Sequence, residues 1–192
     1  MKRMLFLLMA MLIAASAVAI VDPDDDMMGF YFDLEADYPC IEGAAPYSTH
    51  NLYLIVTRPT AAELFGFEAG FTVEGEGMVL GVEFSVENFI NVGTNDNMIV
   101  GFGEPLETTQ ATLLATFSIM YMDTTMGPLD FYLHGSEPSS MDPLYPVVLL
   151  DGGVLQSMGI SAAVGPTAQF NGGCQVLATD NVSFDSIKSL YR

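Results

Sequence analysis

An all-β fold, a two-sheet antiparallel β-sandwich of jelly-roll or immunoglobulin-like type, is what this sequence predicts. Three observations carry the prediction. Residues 64–87, LFGFEAGFTVEGEGMVLGVEFSVE, alternate bulky with small or polar side chains on either side of Glu74-Gly75-Glu76-Gly77, and a period of two gives each strand one face for a core and one for water. Comparable runs recur along the chain between turn residues, at a spacing that makes about eight or nine strands. No long amphipathic helical pattern follows them, so the layer that covers the greasy face is a second sheet.

The chain opens with Met1-Lys2-Arg3, an apolar run over 4–13 and the small residues Ala14-Ala15-Ser16-Ala17-Val18-Ala19. That order of basic, greasy and small is the signature of a cleaved secretory signal, so residues 1–19 are read as a signal peptide with Ala17-x-Ala19 at the cleavage site. The alternative, a membrane anchor, is poorly served by an apolar run shorter than the roughly 20 residues a span needs. Residues 20–28 form an acidic, flexible leader, 29–178 the sandwich domain and 179–192 a C-terminal tail.

Charge excludes whole classes of partner. The formal net charge is −19, and it becomes −21 once Lys2 and Arg3 leave with the signal, because only Arg58, Lys188 and Arg192 then stand against 24 acidic residues. Such a field repels phosphate backbones and anionic membrane surfaces, and nucleic-acid binding is excluded. The acidic leader raises calcium as a ligand, through Asp22, Asp24, Asp25 and Asp26. Calcium asks for six to eight convergent oxygens, and this run lacks the spacing of an EF-hand loop. A solvated leader with no cofactor is the expectation, and a calcium site the alternative.

In order, 29–33 (GFYFD) is a first strand, and Cys40 follows in a loop with Pro39, Gly43 and Pro46. Residues 51–57 (NLYLIVT) are a second strand, with Leu52, Leu54 and Val56 on one face, closed by Arg58-Pro59 because proline cannot continue a central ladder. Residues 60–63 make either a helical turn or a plain connection. In the strand pair that follows, Phe65, Phe67, Ala69, Phe71 and Val73 share the bulky face of the first strand, and Met78, Leu80, Val82, Phe84 and Val86 share that of the second. Residues 88–97 read as a loop, and 98–102 as a short strand ended by Gly103-Glu104-Pro105. The run 111–122, ATLLATFSIMYM, is a long strand by its β-branched and aromatic content, with a helix as the other reading of its first half. After a turn at 123–128, LDFYLH (129–134) is its hairpin partner. A loop spans 135–146, a last hairpin is formed by 147–150 and 154–157 around Gly152-Gly153, and 159–173 is a surface passage leading to Cys174. Over 180–191, Phe184, Ile187, Leu190 and Tyr191 recur at helical spacing behind Asp180 or Ser183 as cap, which predicts a short terminal helix or an irregular docked tail.

In an exported chain two cysteines most often pair, and a Cys40–Cys174 bridge would stabilise by about 4 to 5 kcal/mol in the chain-entropy model, with two free thiols as the alternative. Zinc is not indicated, since no Cys-x-x-Cys or histidine cluster accompanies them. The two histidines, His50 and His134, each sit at a strand margin. No Gly-x-Ser-x-Gly, His-Glu-x-x-His or phosphate-cradling loop is present, so catalytic readings lack local support and the chain is read as non-enzymatic. The enzymatic alternative is a glycosidase-like hydrolase using a carboxylate pair, Glu68 on one strand with Glu83 or Glu87 on the next. With no tryptophan in the chain, sugar stacking would fall to tyrosines such as Tyr47, Tyr53, Tyr132 and Tyr145.

Four pieces of text, Phe65-Gly66-Phe67-Glu68, Val79-Leu80-Gly81-Val82, Leu114-Ala115-Thr116-Phe117-Ser118-Ile119 and Gly127-Pro128-Leu129, resemble the strand pattern of cohesin-type sandwich modules. The resemblance spans about two thirds of the chain after the signal. It implies a nine-stranded jelly roll with a non-catalytic adhesion or scaffolding role, and no dockerin-contact motif is matched by it. The tail 183–192, SFDSIKSLYR, resembles C-terminal endings of secreted bacterial proteins, with Phe184-Asp185 where those have Trp-Gly; this implies an export or attachment signal. The expected function is thus an exported binding, adhesion or structural module at the bacterial envelope, secreted, periplasmic or on the surface, engaging a protein or glycan there.

Overall fold

The computed structural model describes residues 23–162 and 165–174; the signal, Asp22 and the C-terminal tail lie outside them. Among the described residues thirteen strands form in chain order: β1 (Met27–Tyr31), β2 (Cys40–Ile41), β3 (Thr49–Thr57), β4 (Glu63–Glu74), β5 (Gly77–Phe84), β6 (Phe89–Asn91), β7 (Asn97–Glu107), β8 (Ala111–Tyr121), β9 (Leu129–His134), β10 (Val147–Leu149), β11 (Leu155–Ser157), β12 (Gly159–Ile160) and β13 (Ala168–Phe170). The only helical element among the described residues is a 3₁₀ turn at Asp151–Gly153. The all-β sandwich predicted from alternation is therefore present.

The smaller sheet runs β12-β1-β3-β8-β5. In the larger one, β4 is central: β7 and then β6 flank one side, while β9 and β10 share the other, with β13 and β2 beyond β9 and β11 beyond β10. Most pairs are antiparallel, but β1–β12 and β2–β13 are parallel, which corrects the purely antiparallel expectation. Both parallel pairs join an early strand to a late one, so a long stretch of chain supplies the crossover that parallel pairing needs.

Between the sheets lies one apolar core. Phe30, Phe71, Phe117 and Phe131 gather at its centre; Phe30 meets Phe71 edge-on with ring centroids 5.3 Å apart, and Phe71 meets Phe117 in the same way. Edge-to-face contacts set the negative ring face against the positive edge, adding to what burial alone supplies. A second small cluster, Tyr31, Ala36 and Ile55, lies outside the smaller sheet.

Several expectations are corrected here. Residues 64–87 do not make a hairpin within one sheet: β4 belongs to the larger sheet and β5 to the smaller. Gly75, at φ +115°, makes the crossing, and a Cβ there would strike the Pro128 carbonyl. The predicted face of β4 also changes along its length. Leu64 is buried and Phe65 partly exposed, because an irregularity between Leu64 and Gly66 shifts the phase. In β5 a bulge between Val79 and Gly81 does the same, so Val79, Val82 and Phe84 pack inward while Met78 and Leu80 point out. A one-residue slip turns every following side chain over.

The sandwich begins before residue 29, since Met27 and Met28 are buried in β1, so the leader does not extend to 28. Residues 60–63 form a plain connection that enters β4 rather than a helical turn. The loop expected over 88–97 contains β6. The expected surface passage 159–173 carries β12 and β13, with Ala168 and Phe170 fully buried.

Candidate functional site

Two rows of residues cross the outer face of the larger sheet in register. One is Leu155, Leu149, Gly66, Gly101 and Ile90, contributed by β11, β10, β4, β7 and β6. Directly opposed residues in a sheet share a face, so two glycines interrupt a row of branched aliphatic side chains. A side chain on Gly66 would collide with the Val100 carbonyl, whereas the space above Gly101 is open. The second row holds Val147, Glu68 and Ile99, and Val92 continues it through a bond from its N–H to the Ile99 carbonyl. The result is an apolar groove of about 290 Å³ with a glycine floor and walls from β6 and from β10–β11. Ile90 is 71% exposed and Val92 73%, values that make the patch conspicuous.

One carboxylate, Glu68, borders the groove. It accepts from the Ser140 backbone N–H at 2.8 Å and from the Ser140 hydroxyl. Nearby, Asn97 Oδ1 accepts from the Glu137 N–H at 2.8 Å, and Asn97 Nδ2 donates to the Glu137 carbonyl. These contacts fasten the 135–146 loop to β4 and β7 and so fix one end of the groove.

The predicted carboxylate pair is not assembled. Glu68 lies on the outer face of the larger sheet, Glu83 is exposed on β5 of the smaller sheet, and Glu87 is exposed beyond the end of β5. Two sheets packed about 10 Å apart stand between Glu68 and Glu83, so that pair cannot flank one glycosidic bond as a hydrolase requires.

In the leader, Asp25 pairs with Arg58 at 2.8 Å, and both oxygens of Asp26 accept from Thr60, from its N–H and its hydroxyl. The two carboxylates thus serve different partners. Among the described residues no group of three or more His, Cys, Asp or Glu side chains is placed to hold a metal ion. Cys40 and Cys174 are joined, with Cα atoms 5.6 Å apart, well inside the span a disulfide bridges. Glu42 adds to this closure by accepting from the N–H groups of Gly173 and Cys174.

Neither histidine sits in a catalytic arrangement. His50 Nε2 is 2.7 Å from Ser48 Oγ, but that hydroxyl donates to the Ala45 carbonyl at 2.6 Å. With its single proton committed, the hydroxyl accepts from the ring. This is the reverse of a general base drawing a proton from serine. Burial against Phe170 holds the His50 pKa below its ordinary value. His134 Nδ1 donates to the Gly135 carbonyl. Elsewhere, Asp123 is held below the usual carboxylate range by bonds from Thr125 and Gly127 within its turn. Asp37 is pushed up by desolvation and by Asp33 and Glu35. Neither lines the groove.

What fold and surface together define is a two-sheet sandwich with a preformed aliphatic groove on its larger sheet. No family model matches the sequence, and no curated protein does. The matching solved structures include cohesin modules. A cohesin of OlpC from Clostridium thermocellum, solved in a complex with Doc435, is 11% identical with a TM-score of 0.49, over 78% of this chain and 95% of that one. A cohesin module from a Clostridium perfringens family 33 glycoside hydrolase is 8% identical, with a TM-score of 0.48 over 70% and 91%. A non-cellulosomal cohesin from the archaeon Archaeoglobus fulgidus is 12% identical, with a TM-score of 0.46 over 77% and 88%. The likeness to cohesin modules is one of fold, and no residue role is carried across from them.

The groove was missed from sequence because its walls come from β6, which reads as a loop, and from a hairpin distant in the chain. The one available signal was Phe89-Ile90-Asn91-Val92, apolar text inside a stretch otherwise rich in Asn, Gly and Asp.

Proposed function

We propose that this is an exported, non-enzymatic binding module of the bacterial envelope, and that its partner is a protein seated in the aliphatic groove of the larger sheet. The observation that carries this reading is the glycine-floored row flanked by Ile90 on one side and Leu149 and Leu155 on the other. Aliphatic walls without an aromatic platform suit branched side chains of a protein better than a sugar ring. Glu68 borders the groove and Arg58 is the single Lys or Arg among the described residues, a balance that favours a partner whose apolar contact is rimmed by Lys and Arg.

Photo-crosslinking in the exporting cell tests this. A crosslinker at Ile90 or Val92 is expected to give one discrete adduct, which is lost on adding Leu155→Asp and weakened by salt. A crosslinker at Ser118, on the smaller sheet, gives none. Equal adducts from both sheets, or none from either, would sink the reading. The module is also expected to melt at the same temperature with calcium and with chelator, since Asp25 and Asp26 already serve Arg58 and Thr60.

A further inference from the structure

On the opposite side of the molecule, the start of β5 and the end of β8, each with the residue just beyond it, bring together a chemistry that the groove does not use. Met78 stands directly opposite Met120 in the antiparallel ladder. The ladder continues by one more step, with the Met122 N–H donating to the Glu76 carbonyl at 2.9 Å, so Glu76 stands opposite Met122. Tyr121, the last residue of β8 and the one between Met120 and Met122, is fully buried. Met120 and Met122 therefore both point outward, where Met78 is 47% exposed. Three thioethers and one carboxylate occupy the corners of a two-by-two block on the outer face of the smaller sheet.

We propose that this block is a binding site for a soft monovalent cation, Cu(I), with Met78, Met120 and Met122 as sulfur ligands and Glu76 as the neighbouring charge. Opposed Cβ atoms in a sheet lie about 5 Å apart, and residues two along a strand about 7 Å. The centre of the block is thus roughly 4 Å from each Cβ, within reach of an unbranched, flexible thioether. Thioether sulfur selects Cu(I) over the hard divalent cations, which take oxygen. Both cysteines of the chain are consumed in the Cys40–Cys174 bridge, so no thiolate competes for a soft ion. Outward strand positions ordinarily go to β-branched and aromatic residues, and three methionines around one carboxylate are not explained by strand propensity. The site lies on the other sheet from the groove and stands independently of the proposed function.

Ag(I), a redox-inert probe with the same preference for sulfur, tests the site in the mature, disulfide-intact protein. One equivalent is expected to move the methyl resonances of Met78, Met120 and Met122 while leaving that of Met141, which is 44% exposed on a distant loop, in place. Met120→Leu, nearly isosteric, is expected to weaken Ag(I) binding at least tenfold with an unchanged melt. Glu76→Gln is expected to weaken it two- to fivefold. A double His50→Gln/His134→Gln variant should bind as the parent does, which excludes an imidazole site. Shifts shared by Met141 in proportion to exposure, or parental affinity in Met120→Leu, would overturn the proposal.

Discussion

Strands β8 and β5 are neighbours in one sheet, and they obey their sequence patterns to different degrees. From Ala115 to Tyr121, β8 alternates without a break, and Ala115, Phe117, Ile119 and Tyr121 are each at most 1% exposed. In β5, Leu80 is an extra residue, and the face predicted for the core is turned to solvent at Met78 and Leu80, each 47% exposed. The difference follows from position. β8 is held on both flanks, by β3 and by β5, whereas β5 has a partner on one side alone. A strand held by two ladders has less room for an extra residue than an edge strand has. Even β8 shows this limit at Leu114, where the pairing with β3 skips a residue.

The comparison can be broken most forcefully at Phe117. Phe117→Ala empties a fully buried site within the aromatic cluster and is expected to cost about 3–5 kcal/mol in denaturant unfolding. Its cross-strand partner on the edge, Val82, is only partly buried, and Val82→Ala should cost about 1.5 kcal/mol. Equal losses at the two positions would show that edge and centre do not differ. Tyr121→Phe removes the hydroxyl that donates to the Gly127 carbonyl at 2.6 Å, for an expected loss of about 1 kcal/mol. On the other flank of β8, His50 pairs with Ile119 and provides a titratable reporter. Its folded pKa lies below 6.5, so between the two values the unfolded chain binds more protons. Stability from the neutral ring is complete above pH 6.5 and falls as pH drops through that value. The decline should be shallower in His50→Gln, measured as melting temperature from pH 7.5 to about 5.5. Least of all, Leu80→Thr on the bulge should change stability by no more than about 0.5 kcal/mol.

The same contrast explains what could be read in advance. β9 matches its predicted span at Leu129–His134, though it pairs with β4 and β13 in the larger sheet and not with β8 as expected, and β8 runs Ala111–Tyr121 within the predicted 111–122; both have two flanking partners and strong alternation. The assignment of β4 and β5 to different sheets was not legible: Glu74-Gly75-Glu76-Gly77 has the composition of a hairpin, and the pairing of β4 with β9 and of β5 with β8 is what makes it cross the sandwich. β12 and β13 escaped notice because each is two or three residues long and lies among glycine, serine and proline. The Cys40–Cys174 pairing was readable from the count of two cysteines and the expectation of export. The groove was not, since in-register neighbours from five strands are invisible to any local pattern.

Consider finally how tension would travel through the bridge between Cys40 and Cys174. A pull applied to the chain beyond residue 174 does not load β13, which would otherwise peel from β9 first. The bond hands the force to β2 and thence towards β1, and the 134 positions separating the two cysteines are shielded from it. At about 3.5 Å per residue, roughly 450 Å of chain is thereby withheld from extension. The bridge acts as a mechanical short circuit: the load falls on the segment preceding Cys40, and β1, which carries Phe30 into the core, is the strand that must resist it.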